Sequence, residues 1–233
     1  MATQKILNAP PDGKMMQRVK TFTRHHPYIG PAIWIYGIQY FIVQLVVAAA
    51  WNSPFSLLTN PISDLGNTAC GMYDDRYVCS PLHDWMNASF ILFGLTVTIG
   101  SVLLYYGFRK NIRSYIGFSL MALAGIGTML VGIFPENGIG ALHTLGALLP
   151  FLLGNLSLIV LGLSLEMPRW FKYYTVISGV VGLVALIFLV FQNYLGSGPG
   201  GLERVVAYPQ TIWMITFGVY VSSHRYRERR GKN

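Results

Sequence analysis

The sequence predicts an all-α, polytopic integral membrane protein that folds as a bundle of six transmembrane helices. Hydrophobic residues make up 53% of the chain and charged residues 11%, against roughly 25% charged residues in a soluble domain. Six apolar stretches of about 20 residues or more, at about 1.5 Å rise per residue, can each cross the roughly 30 Å hydrocarbon core. The stretches are Pro31–Trp51, Leu82–Tyr106, Ser114–Phe134, Ala141–Leu165, Tyr174–Leu195 and Leu202–Ser223.

The charges between these stretches divide by sign and orient the bundle. Of the 17 Lys and Arg residues, all but Arg76 and Arg204 lie in residues 1–30, in the second and fourth connections, or in the tail 224–233. Because basic residues concentrate on the cytoplasmic side of a membrane, we expect both termini in the cytoplasm. The opposite, extracytoplasmic side carries Asp64, Asp74, Asp75, Asp84, Glu136 and Glu203.

We therefore divide the chain into a basic leader (1–30), a membrane domain (31–223) and a basic tail (224–233), in the cell membrane. The leader shows no cleavable signal peptide. Its part from Lys14 to His26 is expected to be disordered, with a helix on the membrane surface as the alternative. The net charge of +8 reflects topology and attraction to anionic lipid, and no basic stripe with interleaved aromatic residues indicates a nucleic-acid partner.

Small residues and prolines mark how the helices pack. The third stretch contains Gly125 and Gly132 among other small residues, which let helix backbones approach each other in lipid. Pro150 and Pro209 are expected to kink the fourth and sixth helices. The Gly- and Pro-rich segment 196–201 is a permissive backbone stretch that ends where the sixth helix begins.

The two cysteines, Cys70 and Cys79, both lie in the long loop on the predicted extracytoplasmic side. Since the charge pattern assigned that side without them, their position independently favours an oxidising compartment. We predict a disulfide, which would contribute about 2–3 kcal/mol by closing so short a loop. Two free thiols or a metal-binding pair are the alternatives, and no further thiol supports a metal.

Polar side chains gather at the extracytoplasmic ends of the helices. They are Asp64, His83, Asp84, Asn87, Glu136, His143, Gln192, Asn193, Glu203 and Arg204. Helix ends lie at headgroup depth, and acidic groups there also complement the helix dipole, so each residue alone has a structural explanation. Together they indicate a ligand-binding pocket formed by Asp64, His83, Asp84, Asn87, His143, Glu203 and Arg204. Arg204 is expected to pair with Asp64, Asp84 or an anionic ligand.

Four short motifs also carry a family resemblance. Residues 61–66 (Pro-Ile-Ser-Asp-Leu-Gly), 132–135 (Gly-Ile-Phe-Pro), 143–144 (His-Thr) and 201–204 (Gly-Leu-Glu-Arg) occur in this order between the helices. The ordered set resembles the bacterial and archaeal domain-of-unknown-function family numbered nine hundred ninety-eight, over about residues 30–225. The Ile-Ser-Asp-x-Gly element is also similar to one in the damage-regulated autophagy modulator family of six-helix proteins. The first resemblance implies the fold and no activity.

Three function classes follow from these observations. The favoured one is a protein that binds or handles a lipid or a small anionic ligand at the extracytoplasmic mouth, with Arg204 on the anionic group. The second is a lipid-modifying hydrolase or transferase that uses Ser63, Asp64 and His143, although no nucleophile elbow surrounds Ser63. The third is a structural scaffold whose polar network fixes helix register. We expect membrane lipids as partners, no cofactor and no metal, and predict no oligomeric state.

Overall fold

A computed structural model describes residues 11–107 and 111–230, with side chains for 13–107 and 111–224. Nine α-helices are present in these ranges. They are α1 (Pro11–His25), α2 (Ile29–Tyr36), α3 (Gln39–Ala49), α4 (His83–Gly107), α5 (Ile112–Ile133), α6 (Gly140–Leu148), α7 (Asn155–Ser164), α8 (Arg169–Val190) and α9 (Gly198–Arg230). A π-helical turn (Leu149–Gly154) joins α6 to α7, and the loop after α3 contains a 3₁₀ turn (Ser63–Gly66) and the strands β1 (Gly71–Tyr73) and β2 (Arg76–Val78). The predictions for residues 1–10, 108–110 and 231–233, and for the side chains of 225–230, lie outside the described residues.

Five helical segments of the described chain are long and apolar enough to cross a membrane. They are Ile29–Ala49, His83–Gly107, Ile112–Ile133, Gly140–Ser164 and Arg169–Val190. The prediction of an all-α, polytopic membrane protein is confirmed. The sixth predicted stretch lies within α9.

The expectation of a disordered leader is wrong for the described part of that segment, because α1 covers Pro11–His25. α1 contacts α4, and Thr23 is buried while most of its neighbours are exposed. Packing of one side of α1 onto the bundle therefore stabilises a helix that its polar composition alone did not predict.

Two of the spans are interrupted. Between α2 and α3 the backbone tightens, with Gly37 and Ile38 donating to the carbonyls three residues earlier at 3.1 Å. Phe93 of α4 packs against this point, where a Cβ at position 37 would lie 3.2 Å from its ring. The π-helical turn contains Pro150, which has no N–H to donate to the preceding turn. The helix through Pro209, by contrast, continues without a break.

The predicted fifth helix is displaced by five residues toward the N-terminus: α8 runs over Arg169–Val190 rather than Tyr174–Leu195. Pro168 precedes its first residue and fits a helix start, because its φ is already close to helical. The chain turns at the other end, where Gln192 and Leu195 adopt left-handed φ values of 54° and 50°. Apolar residues resume at Tyr194 and Leu195 after Gln192 and Asn193, so hydropathy alone placed this end too late.

Close helix packing depends on glycines where α4 crosses α5. A Cβ at Gly94 would lie 2.4 Å from the carbonyl oxygen of Gly125, and a Cβ at Gly125 would lie 2.6 Å from that of Gly94. No side chain fits at either position, so the two backbones are in contact. At the centre of the bundle, Trp34 is fully buried and packs against Phe118, Trp213 and Phe217, with ring centroids 5.7–6.1 Å apart.

The connections 50–82, 134–139 and 191–197 meet at one end of the bundle, which we call the loop end. Hydrogen bonds join the first connection to the second and to α9: Thr68 N–H donates to Asn137 Oδ1 at 3.0 Å, and Gly201 N–H donates to the Leu58 carbonyl at 3.0 Å. Gly196 and Gly198 adopt φ values of 80° and 67°, which glycine permits at no steric cost. The antiparallel β1–β2 hairpin lies here and is clamped by the Cys70–Cys79 disulfide, so the predicted disulfide is confirmed.

Candidate functional site

Asp64 is the centre of the polar network at the loop end. The 3₁₀ turn Ser63–Gly66 places its carboxylate inside the protein, fully buried. Arg76 donates to both carboxylate oxygens, from Nε at 2.7 Å and from Nη2 at 2.6 Å, and Asn60 Nδ2 donates at 2.9 Å. A bidentate Arg–carboxylate pair with a third donor is the arrangement that offsets the cost of burying a charge.

Glu136 lies in the 134–139 turn beside this pair. Its carboxylate accepts a hydrogen bond from Asn67 Nδ2 at 2.7 Å, and its backbone carbonyl accepts one from the Tyr73 hydroxyl at 2.9 Å. Burial and, next, the nearby Asp64 carboxylate raise the pKa of Glu136 from 4.5 to about 8, while the Asn67 hydrogen bond opposes the shift. Glu136 is therefore largely protonated at neutral pH and offers a carboxyl group rather than a second negative charge.

The first turns of α9 are tied to the loop that follows α3. The Glu203 carboxylate accepts the Ile62 N–H at 2.9 Å. Arg204 Nη1 donates to the carbonyls of Leu57, Asn60 and Gly200 at 2.7–2.8 Å. Arg204 thus has different neighbours from those predicted: Asp64 pairs with Arg76, and Arg204 satisfies backbone oxygens of the loop.

His143 opens the fourth span one turn into α6. Its Nδ1 meets the carbonyl oxygen of Phe134 at 2.8 Å, which fixes the ring orientation. A carbonyl can only accept, so this contact assigns the proton to Nδ1 and leaves Nε2 as an acceptor.

The three polar residues at the start of α4 contact different neighbours. Asn87 Nδ2 donates to the Gly66 carbonyl at 2.9 Å and so anchors the 3₁₀ turn. His83 Nδ1 lies 2.8 Å from the Ser80 carbonyl, and His83 Nε2 lies 3.4 Å from Asp84, whose side chain is 90% exposed. His83 and Asp84 therefore form a surface pair away from Asp64, and Asn87 has a structural contact.

A cleft of about 380 Å³ opens at the loop end between α6, α8 and the start of α9. Its polar lining, which we call the polar wall, comes from the loops and from the first turns of α6 and α9, and its apolar lining, the apolar wall, comes from the end of α6, the π-helical turn and the last turns of α8. The polar wall contains Ser63, Tyr73, Arg76, Glu136, His143 and Glu203, and the apolar wall contains Leu148, Phe151, Leu186, Leu189 and Val190. Below it, an inner cavity of about 50 Å³ is also lined by Ser63, His143 and Glu203, together with Tyr40, Thr128, Gln210 and Thr211.

Of the seven predicted ligand-binding residues, His143 and Glu203 line this cleft. Asp64 lies directly behind it through its pair with Arg76, and Asn87 supports the 3₁₀ turn. Arg204, His83 and Asp84 line neither the cleft nor the inner cavity. Gln192 and Asn193 are exposed in the turn after α8. Within the described residues, no group of three or more His, Cys, Asp and Glu side chains is arranged to hold a metal ion.

The sequence interpretation left Arg76, Glu136, Asn60 and Tyr73 out of the pocket. One signal pointed to Arg76: it and Arg204 are the only two basic residues that the charge pattern placed on that side. The sequence interpretation considered Asp64, Asp84 or an anionic ligand as the partner of Arg204, but the cation that pairs with Asp64 is Arg76. Asn60 and Tyr73 lie in the 50–82 connection, and hydropathy does not predict how such a loop folds.

Comparison with known families adds one match. The model of the family described as "Protein of unknown function (DUF998)" matches residues 35–220. The chain belongs to this DUF998 family. The matched range includes the 3₁₀ turn with Asp64, the hairpin with Arg76, and the residues that line the cleft. No curated protein and no solved structure matches the chain.

Proposed function

We propose that this DUF998 protein binds a lipid in the loop-end cleft, with the headgroup against the polar wall and an acyl chain along the apolar wall. The division of the cleft into these two walls is the observation that carries the proposal. Ligand sites are commonly apolar with a few convergent polar groups, and a lipid has the same two-part chemistry. Leu148 and Val190 on the apolar wall are 42% and 65% exposed on the outside of the bundle, where acyl chains would enter from the bilayer.

We also propose six membrane spans with both termini in the cytoplasm. α9 is 33 residues long, or about 50 Å at 1.5 Å per residue, which is enough to form the sixth span. With six spans both termini lie on one side, and the basic charges favour the cytoplasm for that side. The disulfide favours an oxidising exterior for the loop end of a protein in the cell membrane.

The headgroup chemistry follows from the polar wall. Asp64 already neutralises Arg76, and Arg204 does not line the cleft, so neither arginine presents an unpaired positive charge inside it. The remaining groups are carboxyl, hydroxyl and imidazole groups that can accept hydrogen bonds. They suit a headgroup rich in hydroxyl or amine donors better than the small anionic ligand expected from the sequence.

Binding remains preferred over catalysis. Ser63 and His143 line the same cleft, but the Asp64 carboxylate is occupied by Arg76 and Asn60, and His143 Nδ1 faces the Phe134 carbonyl. Asp64 therefore does not orient His143, as a nucleophile–base–acid relay would require. If the cleft holds no lipid, the polar network has only a structural role, in which it fixes the positions of the loops.

Native mass spectrometry of lipids retained by the purified protein tests the proposal. Thr144 lines the cleft, whereas its neighbour Leu145 does not and is exposed. Thr144→Trp should displace a specifically retained lipid, and Leu145→Trp, which adds a similar side chain beside the cleft, should not. Equal lipid retention by both variants and the unmodified chain would reject the cleft as the binding site.

A further inference from the structure

The α1 helix lies where the chain enters the first span. Its last residue, His25, is followed after three residues by Ile29, the first residue of the first candidate span. A connection of this length reaches roughly 14 Å at most. α1 also contacts α4. These two constraints hold α1 near the membrane boundary at the end opposite to the loop end.

One side of α1 is apolar and incompletely covered. Met15, Val19 and Phe22 share a face at helical spacing, with Met16 and Thr23 beside them. Thr23 is buried, but Met15, Met16 and Phe22 are 69%, 52% and 44% exposed. About half or more of the surface of these three large apolar side chains is thus left uncovered, although α1 packs against the bundle and Phe22 contacts the His26 ring at 4.8 Å.

Basic side chains flank this apolar face. Lys14 and Arg18 lie on one flank and Lys20 on the other, while Arg24 lies on the opposite side of the helix from Met15. Among the described side chains of α1 no acidic group opposes them. Apolar residues between basic flanks are typical of a helix that lies in the interface plane, with its long cationic side chains reaching phosphates.

We infer that α1 is a second lipid-contact surface, which binds the anionic headgroups of the bilayer at the end opposite to the cleft. Exposed Met15, Met16 and Phe22 insert at the acyl boundary, and Lys14, Arg18 and Lys20 contact phosphate groups. The partner is an anionic lipid surface because the uncovered face combines positive charge with apolar area. This inference does not rest on the cleft or on its ligand.

The full chain in lipid nanodiscs provides the test. Both cysteines of the sequence are bridged, so Met16→Cys introduces a single thiol for an environment-sensitive fluorophore. Discs that contain phosphatidylglycerol should give a blue-shifted emission compared with discs of phosphatidylcholine alone. Each neutralised charge should lower the equilibrium constant for docking of α1 on the anionic lipid surface about fivefold, since a basic residue near such a surface contributes about that factor. Lys14→Gln/Arg18→Gln should therefore lower it about 25-fold.

Arg169→Gln/Lys172→Gln is the matched control, because it removes two charges from the start of α8 at the same end of the bundle. This control should keep the lipid-dependent emission of α1. An emission that is the same in both kinds of disc would overturn the inference. An equal loss of docking in the control would also overturn the inference, because the attraction would then come from the whole basic end. A blue shift produced only by an added acidic polypeptide would overturn it as well.

Discussion

Arg76 and Asp64 form a bidentate ion pair in which Nε and Nη2 donate to the carboxylate at 2.7 Å and 2.6 Å. The two residues come from different parts of one loop, the β2 strand and the 3₁₀ turn. The Asp64 side chain is fully buried and that of Arg76 is 20% exposed. The pair therefore attaches the disulfide-closed hairpin to the polar wall of the cleft.

Arg76→Gln should strongly destabilise the loop end, because it leaves the buried Asp64 carboxylate without its cation. Breaking one partner of a buried pair costs about 3–5 kcal/mol. Hydrogen exchange of residues 60–80 in the membrane-reconstituted protein should show the loss locally. Asp74→Asn is the control, since Asp74 lies 3.5 Å from Arg76 with a 72% exposed side chain, and an exposed pair contributes about 0–1 kcal/mol. Equal protection in the two variants would contradict the assigned role of Asp64.

Cys70→Ser/Cys79→Ser should loosen the hairpin by about 2–3 kcal/mol, because the disulfide restricts the unfolded loop. Mass spectrometry of protein alkylated without reduction should find both native thiols protected. The same hydrogen-exchange measurement should then show faster exchange in β1 and β2 of the double variant, with α5 unchanged. Two alkylated thiols in the native protein would show that the bridge does not form.

Glu136 should make the loop end less stable as the pH rises from about 5 to about 8. Its pKa is raised from 4.5 to about 8 in the folded protein, first by burial and then by Asp64. The folded state therefore binds the proton more tightly than the unfolded state, and this contribution to stability is complete below pH 4.5 and lost as the pH approaches 8. Tyr73 and Arg76 also interact electrostatically with Glu136, and His143 and Glu203 line the same cleft.

Glu136→Gln should remove most of this pH dependence, since glutamine resembles the protonated acid and can still accept from Asn67. Its thermal midpoint at pH 8 should equal or exceed that of the unmodified protein, and the difference should vanish near pH 5. A variant that loses stability equally at both pH values would show that Glu136 acts through packing rather than through its proton.

The proposed topology predicts opposite labelling of two introduced cysteines. In intact cells, a membrane-impermeant maleimide should label Asp75→Cys, at the tip of the hairpin, and should not label Lys20→Cys in α1 until the membrane is opened. The native cysteines are bridged and do not compete. Labelling of Lys20→Cys from outside would reverse the orientation and place the cleft on the cytoplasmic side.

Hydropathy predicted the helices well because each span must satisfy its backbone internally and present apolar side chains to lipid. The same patterns could not show the break at Gly37, which depends on the approach of Phe93 from another helix. They could not place the end of α8 either, because apolar residues resume at Tyr194 and Leu195 in the turn that contains Gln192.

The site was harder to predict than the fold. His143 and Glu203 could be placed at one end because antiparallel helices return their alternate ends to the same side. The partners of the arginines depend on how the 50–82 loop folds: the hairpin brings Arg76 to Asp64, and Arg204 is left to cap the carbonyls of Leu57 and Asn60. The charge pattern identified both arginines but could not predict which groups each one contacts, since a long loop can fold in many ways.

Photo-crosslinking with a lipid that carries a photoreactive acyl chain tests directly whether a lipid occupies the cleft. We expect crosslinks concentrated on Phe151, Leu186 and Val190 of the apolar wall, and their loss in Thr144→Trp but not in Leu145→Trp. Crosslinks of equal yield on exposed residues away from the cleft, such as Leu163 and Ile177, with no effect of Thr144→Trp, would contradict it.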